Sequence, residues 1–181
     1  MKTRRLIFVL LLTSFLVSCG TSDGSFTCIG TDKKKHSLKE TEKRSIYVLF
    51  STLGCHECHL RLNEFLEEQG VYDNDSIELF GLIAVPKKER KDMLTQKLMI
   101  AKMHRYYPAM KNFLFCSEEQ GKINLLGLQI NNFQTPAVIM ADSGAVTYLN
   151  SDRVTVYRNK QVVVNPDLAV LLGLERKETG K

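Results

Sequence analysis

The stretch "SIYVLFSTLGCHECHLRLNEFLEEQG", residues 45–70, decides how the rest of the chain is read. It opens with Ser45–Phe50, a short unbroken run of β-branched, aromatic and aliphatic residues, which suits a strand buried on both faces of a sheet. Ser51-Thr52-Leu53-Gly54 interrupts the run, and from Cys55 the pattern changes period. Cys58, Leu62, Phe65 and Leu66 fall at i, i+4, i+7 and i+8, the spacing of one helix face, and Gly70 supplies a stop. Two cysteines therefore sit where a buried strand turns into a helix.

Three chemistries share the spelling Cys55-His56-Glu57-Cys58-His59. The first is a dithiol that opens and closes. A free cysteine has a pKa of about 8.5, and a helix N-terminus lowers it to roughly 3.5–7.5, because the first turn presents unbonded N–H groups and the positive end of the helix dipole. Cys55 lies just ahead of the helix and would be the exposed thiol; Cys58, one turn in, would close on it. A protonated His56 would favour the thiolate and Glu57 would oppose it. The second is covalent haem attachment at Cys55-x-x-Cys58-His59, with His59 as one axial ligand and Met110, Met140 or His104 as the other. The third is a copper-type site using Cys55, Cys58 and His104.

The remaining sequence supplies the context. "SIELFGLIAV" (76–85) reads as a second strand ended by Pro86, and "KKERKDMLTQKLMIAKMHRYY" (87–107) as a long helix closed by Pro108. "NFLFC" (112–116) reads as a third strand, and "GKINLLGLQINN" (121–132) as a helix or helical turn. "TPAVIMADSGAVTYLNS" (135–151) is strand, tight turn at Asp142-Ser143-Gly144, strand. "VTVYRNKQVVV" (154–164) is a strand pair turning near Asn159. "NPDLAVLLGLE" (165–175) is a terminal helix with Asn165 as N-cap and Pro166 at its first position. Strand–helix alternation followed by a hairpin and a helix gives the class α/β, with a mixed central sheet flanked by helices.

The first residues read differently. Lys2, Arg4 and Arg5 precede a largely apolar run, Leu6 to Val17, too short for the ~20 residues of a bilayer-spanning helix but suited to the centre of a signal peptide. The run ends in "LVSC", Leu16–Cys19, which resembles the bacterial lipobox and implies cleavage before Cys19 and acylation there. At ~0.8 kcal/mol per buried CH₂, several acyl chains hold a protein firmly on a membrane. The expected organisation is a signal peptide at 1–18, a lipid-anchored tether at 19–44, one domain at 45–176 and a polar tail at 177–181. Removing residues 1–18 leaves 22 Lys and Arg against 20 Asp and Glu. The whole-chain pI of about 8.9 is thus no argument for nucleic acid, and no nucleic-acid partner is expected.

With "IYVLF", Cys55 and Cys58, and Thr135-Pro136 followed by "AVIM" in view, the chain resembles the thioredoxin superfamily. It is most similar there to the envelope-exposed TlpA-like thiol–disulfide oxidoreductases. The resemblance implies a thioredoxin-like fold, a cis-proline at Pro136 facing the dithiol, and backbone hydrogen bonds from Thr135 to a substrate peptide. It implies Cys55 and Cys58 as the catalytic pair, with Thr135, Pro136 and His56 on the substrate side. The expected partners are protein thiols or disulfides, a redox partner, and a membrane reached through Cys19. No dissociable cofactor and no metal are expected. The chain departs from the family's pattern in having no tryptophan, Leu53-Gly54 before the first cysteine, and no proline between the pair. A thioredoxin-like binding domain whose Cys55–Cys58 pair is never turned over is the bland alternative.

Two further thiols remain. Cys116 ends an apolar strand and is expected to be buried and inert. Cys28 falls in the tether, and the favoured reading leaves it and Cys116 unbonded. His36 and His104 are expected to be surface or packing residues, and the methionines of "MLTQKLMIAKM" to be core. Arg105-Tyr106-Tyr107 could line a cleft or simply end a helix.

Overall fold

A computed structural model describes residues 27–31, 35–37, 43–52, 54–119, 122–125 and 128–174. The expected signal peptide, the acylation site Cys19 and the tail at 177–181 lie outside the described residues. No helix among the described residues is long and apolar enough to cross a membrane.

Strand β3 (Arg44–Phe50) is the centre of the sheet, and Ser45–Phe50 are all buried, as an unbroken apolar run requires. It is preceded by β1 (Thr27–Gly30) and β2 (Lys35–Ser37), and followed by helix α1 (His56–Glu68). Then come β4 (Ile77–Pro86), helix α2 (Met93–His104), β5 (Asn112–Glu118), and a hairpin of β6 (Lys122–Leu125) with β7 (Leu128–Asn131). The chain continues with β8 (Ala137–Asp142), β9 (Ala145–Leu149), the short helix α3 (Ser151–Val154), β10 (Thr155–Arg158), β11 (Gln161–Val164) and α4 (Leu168–Leu171). The main sheet has seven strands in the order β2-β1-β5-β4-β3-β8-β9. Strands β3, β4 and β5 are parallel; β8 runs antiparallel to β3, β9 to β8, and β1 to β5.

Alternation along β3 sorts the core into two layers. Ile46, Val48 and Phe50 join Leu62 and Leu66 of α1 and Met99 and Met103 of α2, so the helical periodicity of residues 58–66 is spent against this face. Tyr47 and Leu49 join Leu82, Leu114, Cys116, Ile139 and the hairpin residues Ile123 and Ile130 on the other. A buried Leu side chain contributes about 1.5–3 kcal/mol, so the fully buried Leu62 and Leu66 anchor α1 on this face. Gly70, at φ 65°, ends α1 in a conformation that costs a residue with a Cβ 1–2 kcal/mol, by order of magnitude. Asp92 caps α2 by accepting from the Thr95 N–H at 2.6 Å, which starts that helix six residues later than its sequence pattern suggests.

Three expectations are corrected. Part of the segment taken as tether, 19–44, is sheet: β1 and β2 pair with each other, β1 adds to β5, and Cys28 and Ile29 are buried. Within the segment 121–132 read as helical, Lys122–Leu125 and Leu128–Asn131 are paired antiparallel strands, β6 and β7. Ile123 pairs with Ile130 and both are buried, so the apolar residues meet across a strand pair and not along a helix face. Asn165 does not cap the last helix; its side chain accepts from the Asp167 N–H at 3.1 Å in a local turn, and α4 is four residues long. The expected turns are present. Ser143 and Gly144 take positive φ between β8 and β9, and Asn159 and Lys160 do so between β10 and β11.

Candidate active site

Strand β3 ends at Phe50, and the chain reaches the head of α1 within five residues. Cys55 is the N-cap of that helix. Its Sγ accepts from the Cys58 N–H at 3.3 Å, and its carbonyl accepts from the His59 N–H at 3.2 Å. Cys55 is exposed, Cys58 is nearly buried, and the two form a disulfide with Cα atoms 5.2 Å apart. On reduction the sulfur left at the N-cap faces the first-turn N–H groups, the environment that favours a thiolate. Cys58 faces the core, where a thiolate is disfavoured.

The Thr135–Pro136 peptide bond is cis, and it stands directly against the pair, because the Cys55 N–H donates to the Thr135 carbonyl at 3.1 Å. The Thr135 residue is buried, and in this form its carbonyl is taken up by the Cys55 N–H. His56 is exposed beside the disulfide, with Nδ1 3.1 Å from the Tyr106 hydroxyl.

Beneath the pair lies a polar cluster that the sequence did not predict. His59 is 1% exposed. Its Nδ1 lies 2.7 Å from the Tyr107 hydroxyl and its Nε2 3.4 Å from Thr135 Oγ1. Burial, with a smaller contribution from His56, pulls the His59 pKa down to about 3, so the ring is neutral at ordinary pH. A neutral imidazole has one donor and one acceptor nitrogen, which matches two hydroxyl partners. Burial holds the Tyr107 hydroxyl well above its ordinary pKa, so it stays protonated. Phe50, Tyr106 and Tyr107 pack around the ring with centroids 5.2–5.6 Å away. Gly54 completes the arrangement: a Cβ there would run into Thr135 Oγ1 and lie 2.7 Å from His59 Nε2. A side chain between strand and dithiol would push the cluster apart. The only sequence signal for it was "RYY" at the end of α2, whose partner His59 is 48 residues away from Tyr107.

A cleft of about 180 Å³ opens beside the cluster, lined among others by Thr52, Gly54, Lys102, Arg105 and Tyr106. It gives the surface next to Cys55 a positive wall and an aromatic one.

The site does not fit the haem or copper readings. Both sulfurs are bonded to each other in this form, and both His59 ring nitrogens face hydroxyl groups within the fold. His104 packs edge-on against Phe113, and Met110 is buried in the core. No group of three or more metal-binding side chains occurs among the described residues.

No protein-family model matches the chain, and no curated protein does. Among solved structures it is similar to a secreted disulfide oxidoreductase of Mycobacterium tuberculosis, at 12% identity and TM-score 0.45 over 83% of this chain and 96% of that one. It is also similar to a thiol–disulfide isomerase of Corynebacterium glutamicum, at 18% identity and TM-score 0.43 over 72% and 79%. A third is the thioredoxin domain of a thiol–disulfide oxidoreductase of Bacteroides vulgatus, at 15% identity and TM-score 0.41 over 70% and 86%. The chain's own topology carries the assignment: β4-β3-β8-β9, with a helix after β3 headed by a dithiol and a cis-proline opening β8, is the thioredoxin-like fold, and this chain has it.

Proposed function

We propose that the chain is a thiol–disulfide oxidoreductase acting on protein substrates through Cys55 and Cys58. The observation that carries the reading is the closed Cys55–Cys58 disulfide at the head of α1, with the Cys55 N–H bonded to the carbonyl of Thr135, the residue before cis-Pro136. In the reducing direction the Cys55 thiolate attacks a substrate disulfide, and one substrate sulfur leaves as thiolate and takes a proton. The Cys58 thiolate then attacks the Cys55 sulfur, the second substrate thiol leaves, and the enzyme disulfide closes with two electrons transferred. The oxidising direction is the same path reversed, beginning with a substrate thiolate attacking Cys55. Pro136 and His56 contact the substrate, and Thr135 fixes Cys55.

The proposal includes the envelope location. Acyl chains on Cys19 hold the domain to a membrane, so the dithiol works outside the cytoplasm. Incorporation of labelled palmitate, lost in Cys19→Ala, tests this part.

The exchange is tested with a disulfide-bonded protein substrate. The unsubstituted chain should turn it over, Cys55→Ser should not, and Cys58→Ser should accumulate mixed disulfides at Cys55. Turnover by Cys55→Ser at the unsubstituted rate would falsify the mechanism.

A further inference from the structure

Cys28 and Cys116 take no part in the site described above, and nothing in the exchange mechanism uses them. In this structure both are free thiols, as the sequence reading favoured, yet they are neighbours. Strand β1 runs antiparallel to β5 with Ile29 opposite Phe115 and Gly30 opposite Leu114. One step further in that register sets Cys28 opposite Cys116. Both side chains are fully buried, and both belong to the same apolar cluster on the same face of the sheet. Directly opposed residues of an antiparallel pair carry Cβ atoms about 4.5–5.5 Å apart, and a disulfide spans about 3.5–4.5 Å, so a small approach of β1 toward β5 closes the gap.

We propose that Cys28 and Cys116 form a second, structural disulfide that locks the β1–β2 hairpin onto the edge of the sheet. The inference stands whether or not Cys55 and Cys58 exchange disulfides with substrates. β1 and β2 are four and three residues long, and they were invisible in the sequence because a polar, lysine-rich stretch surrounds them. A bond across 88 residues of chain removes much of the freedom of the unfolded state, so it stabilises the assembled sheet as well as the hairpin.

The chemistry sets the order of events. Burial raises the Cys28 thiol to about 12 and holds Cys116 well above its ordinary value, so neither is a thiolate once the hairpin has docked. The bond therefore forms during folding, while β1 is still off the sheet and Cys28 is open to solvent. The Cys28 thiolate attacks a low-molecular-weight or protein disulfide, forming a mixed disulfide and releasing one thiol. The Cys116 thiolate then attacks the Cys28 sulfur and displaces the second thiol. The two protein thiols lose two protons and two electrons, and the oxidant's disulfide is reduced to two thiols.

The test uses the full-length chain, fully reduced and denatured, then refolded in a mixture of oxidised and reduced glutathione. Free thiols are alkylated under denaturing conditions, and the linkages are mapped by mass spectrometry without reduction. A peptide joining Cys28 to Cys116 is expected in most molecules, and also in the Cys55→Ser/Cys58→Ser variant. In that same background, reduction should lower Tm by several degrees, and Cys28→Ala/Cys116→Ala should abolish the dependence of Tm on reductant. Alkylation of both Cys28 and Cys116 without reduction overturns the proposal. So does a bridge from either of them to Cys19, Cys55 or Cys58. The linkage map needs no substitution at Cys28 or Cys116, so it decides the matter even if the alanine variant fails to fold.

Discussion

Cys55 and Cys58 are three residues apart, at the head of a helix, with one sulfur in solvent; Cys28 and Cys116 are far apart in sequence, opposed across two strands, with both sulfurs in the core. The same element in the same chain meets opposite electrostatics. At the helix end, N–H groups and the dipole favour a negative sulfur, and a neutral polar cluster of His59, Tyr107 and Thr135 supports the strand-to-helix turn. In the sheet core desolvation outweighs the nearby Arg90 charge at both sulfurs, and Cys116 donates its S–H to the Ile83 carbonyl, with sulfur and oxygen 3.6 Å apart. Placement, more than spacing alone, separates a pair that opens and closes from one that would stay as it folded.

The largest effect expected from breaking this contrast is on rate. Cys55→Ser should lower disulfide exchange by at least about a thousandfold, because the nucleophile itself is gone, whereas Cys28→Ala/Cys116→Ala should leave the rate near its original value. Steady-state turnover of a disulfide-bonded protein, with folding checked by circular dichroism, measures both. Equal losses in the two variants would dissolve the distinction.

The polar support under the first pair gives the next effects, which are on stability. Tyr107→Phe deletes the hydroxyl that partners His59 Nδ1 and leaves that nitrogen buried without its partner, costing about 1–3 kcal/mol by denaturant titration. Gly54→Ala forces a methyl group against Thr135 Oγ1 and His59 Nε2, both on buried side chains, and should cost a similar ~1–3 kcal/mol while slowing exchange. An alanine variant of unchanged stability would mean that the His59 cluster does not set the position of Cys55.

The smallest effect is a slope. His59 titrates near 3 when folded and near 6.5 when unfolded, so between those values the unfolded chain holds the extra proton. Its contribution to stability is complete above about pH 6.5 and is lost as pH falls toward 3. His59→Gln should therefore show a shallower fall in Tm between pH 7 and pH 4 than the unsubstituted chain. Parallel curves would contradict a neutral, buried imidazole.

How far these features could be foreseen follows from how local they are. Strand β3, the turn and helix α1 were legible because one continuous stretch carries the change from an unbroken apolar run to helical period. The β8–β9 and β10–β11 hairpins were legible from turn residues that tolerate positive φ. Thr135-Pro136 was placed by resemblance, and the cis bond faces the dithiol as that resemblance implied. The β1–β2 hairpin was missed because strands of three or four residues gain their stability from β5, more than seventy residues away. Residues 121–132 misled because Leu125, Leu126, Leu128 and Ile130 satisfy either period when only a short stretch is counted. His59 was weighed only as a haem ligand, since nothing in "CHECH" announces a tyrosine hydroxyl brought in from the end of α2.

The central claim is that Cys55–Cys58 is the redox-active pair and that the other two thiols are not. It is tested most directly by treating the folded, full-length chain with a mild dithiol reductant, alkylating without denaturation, and mapping the modified residues by mass spectrometry. The account predicts two added groups, on Cys55 and Cys58, with Cys28 and Cys116 unmodified until the chain is both unfolded and reduced. Modification of Cys28 or Cys116 in the folded chain, or a Cys55–Cys58 bond that survives the reductant, would contradict it.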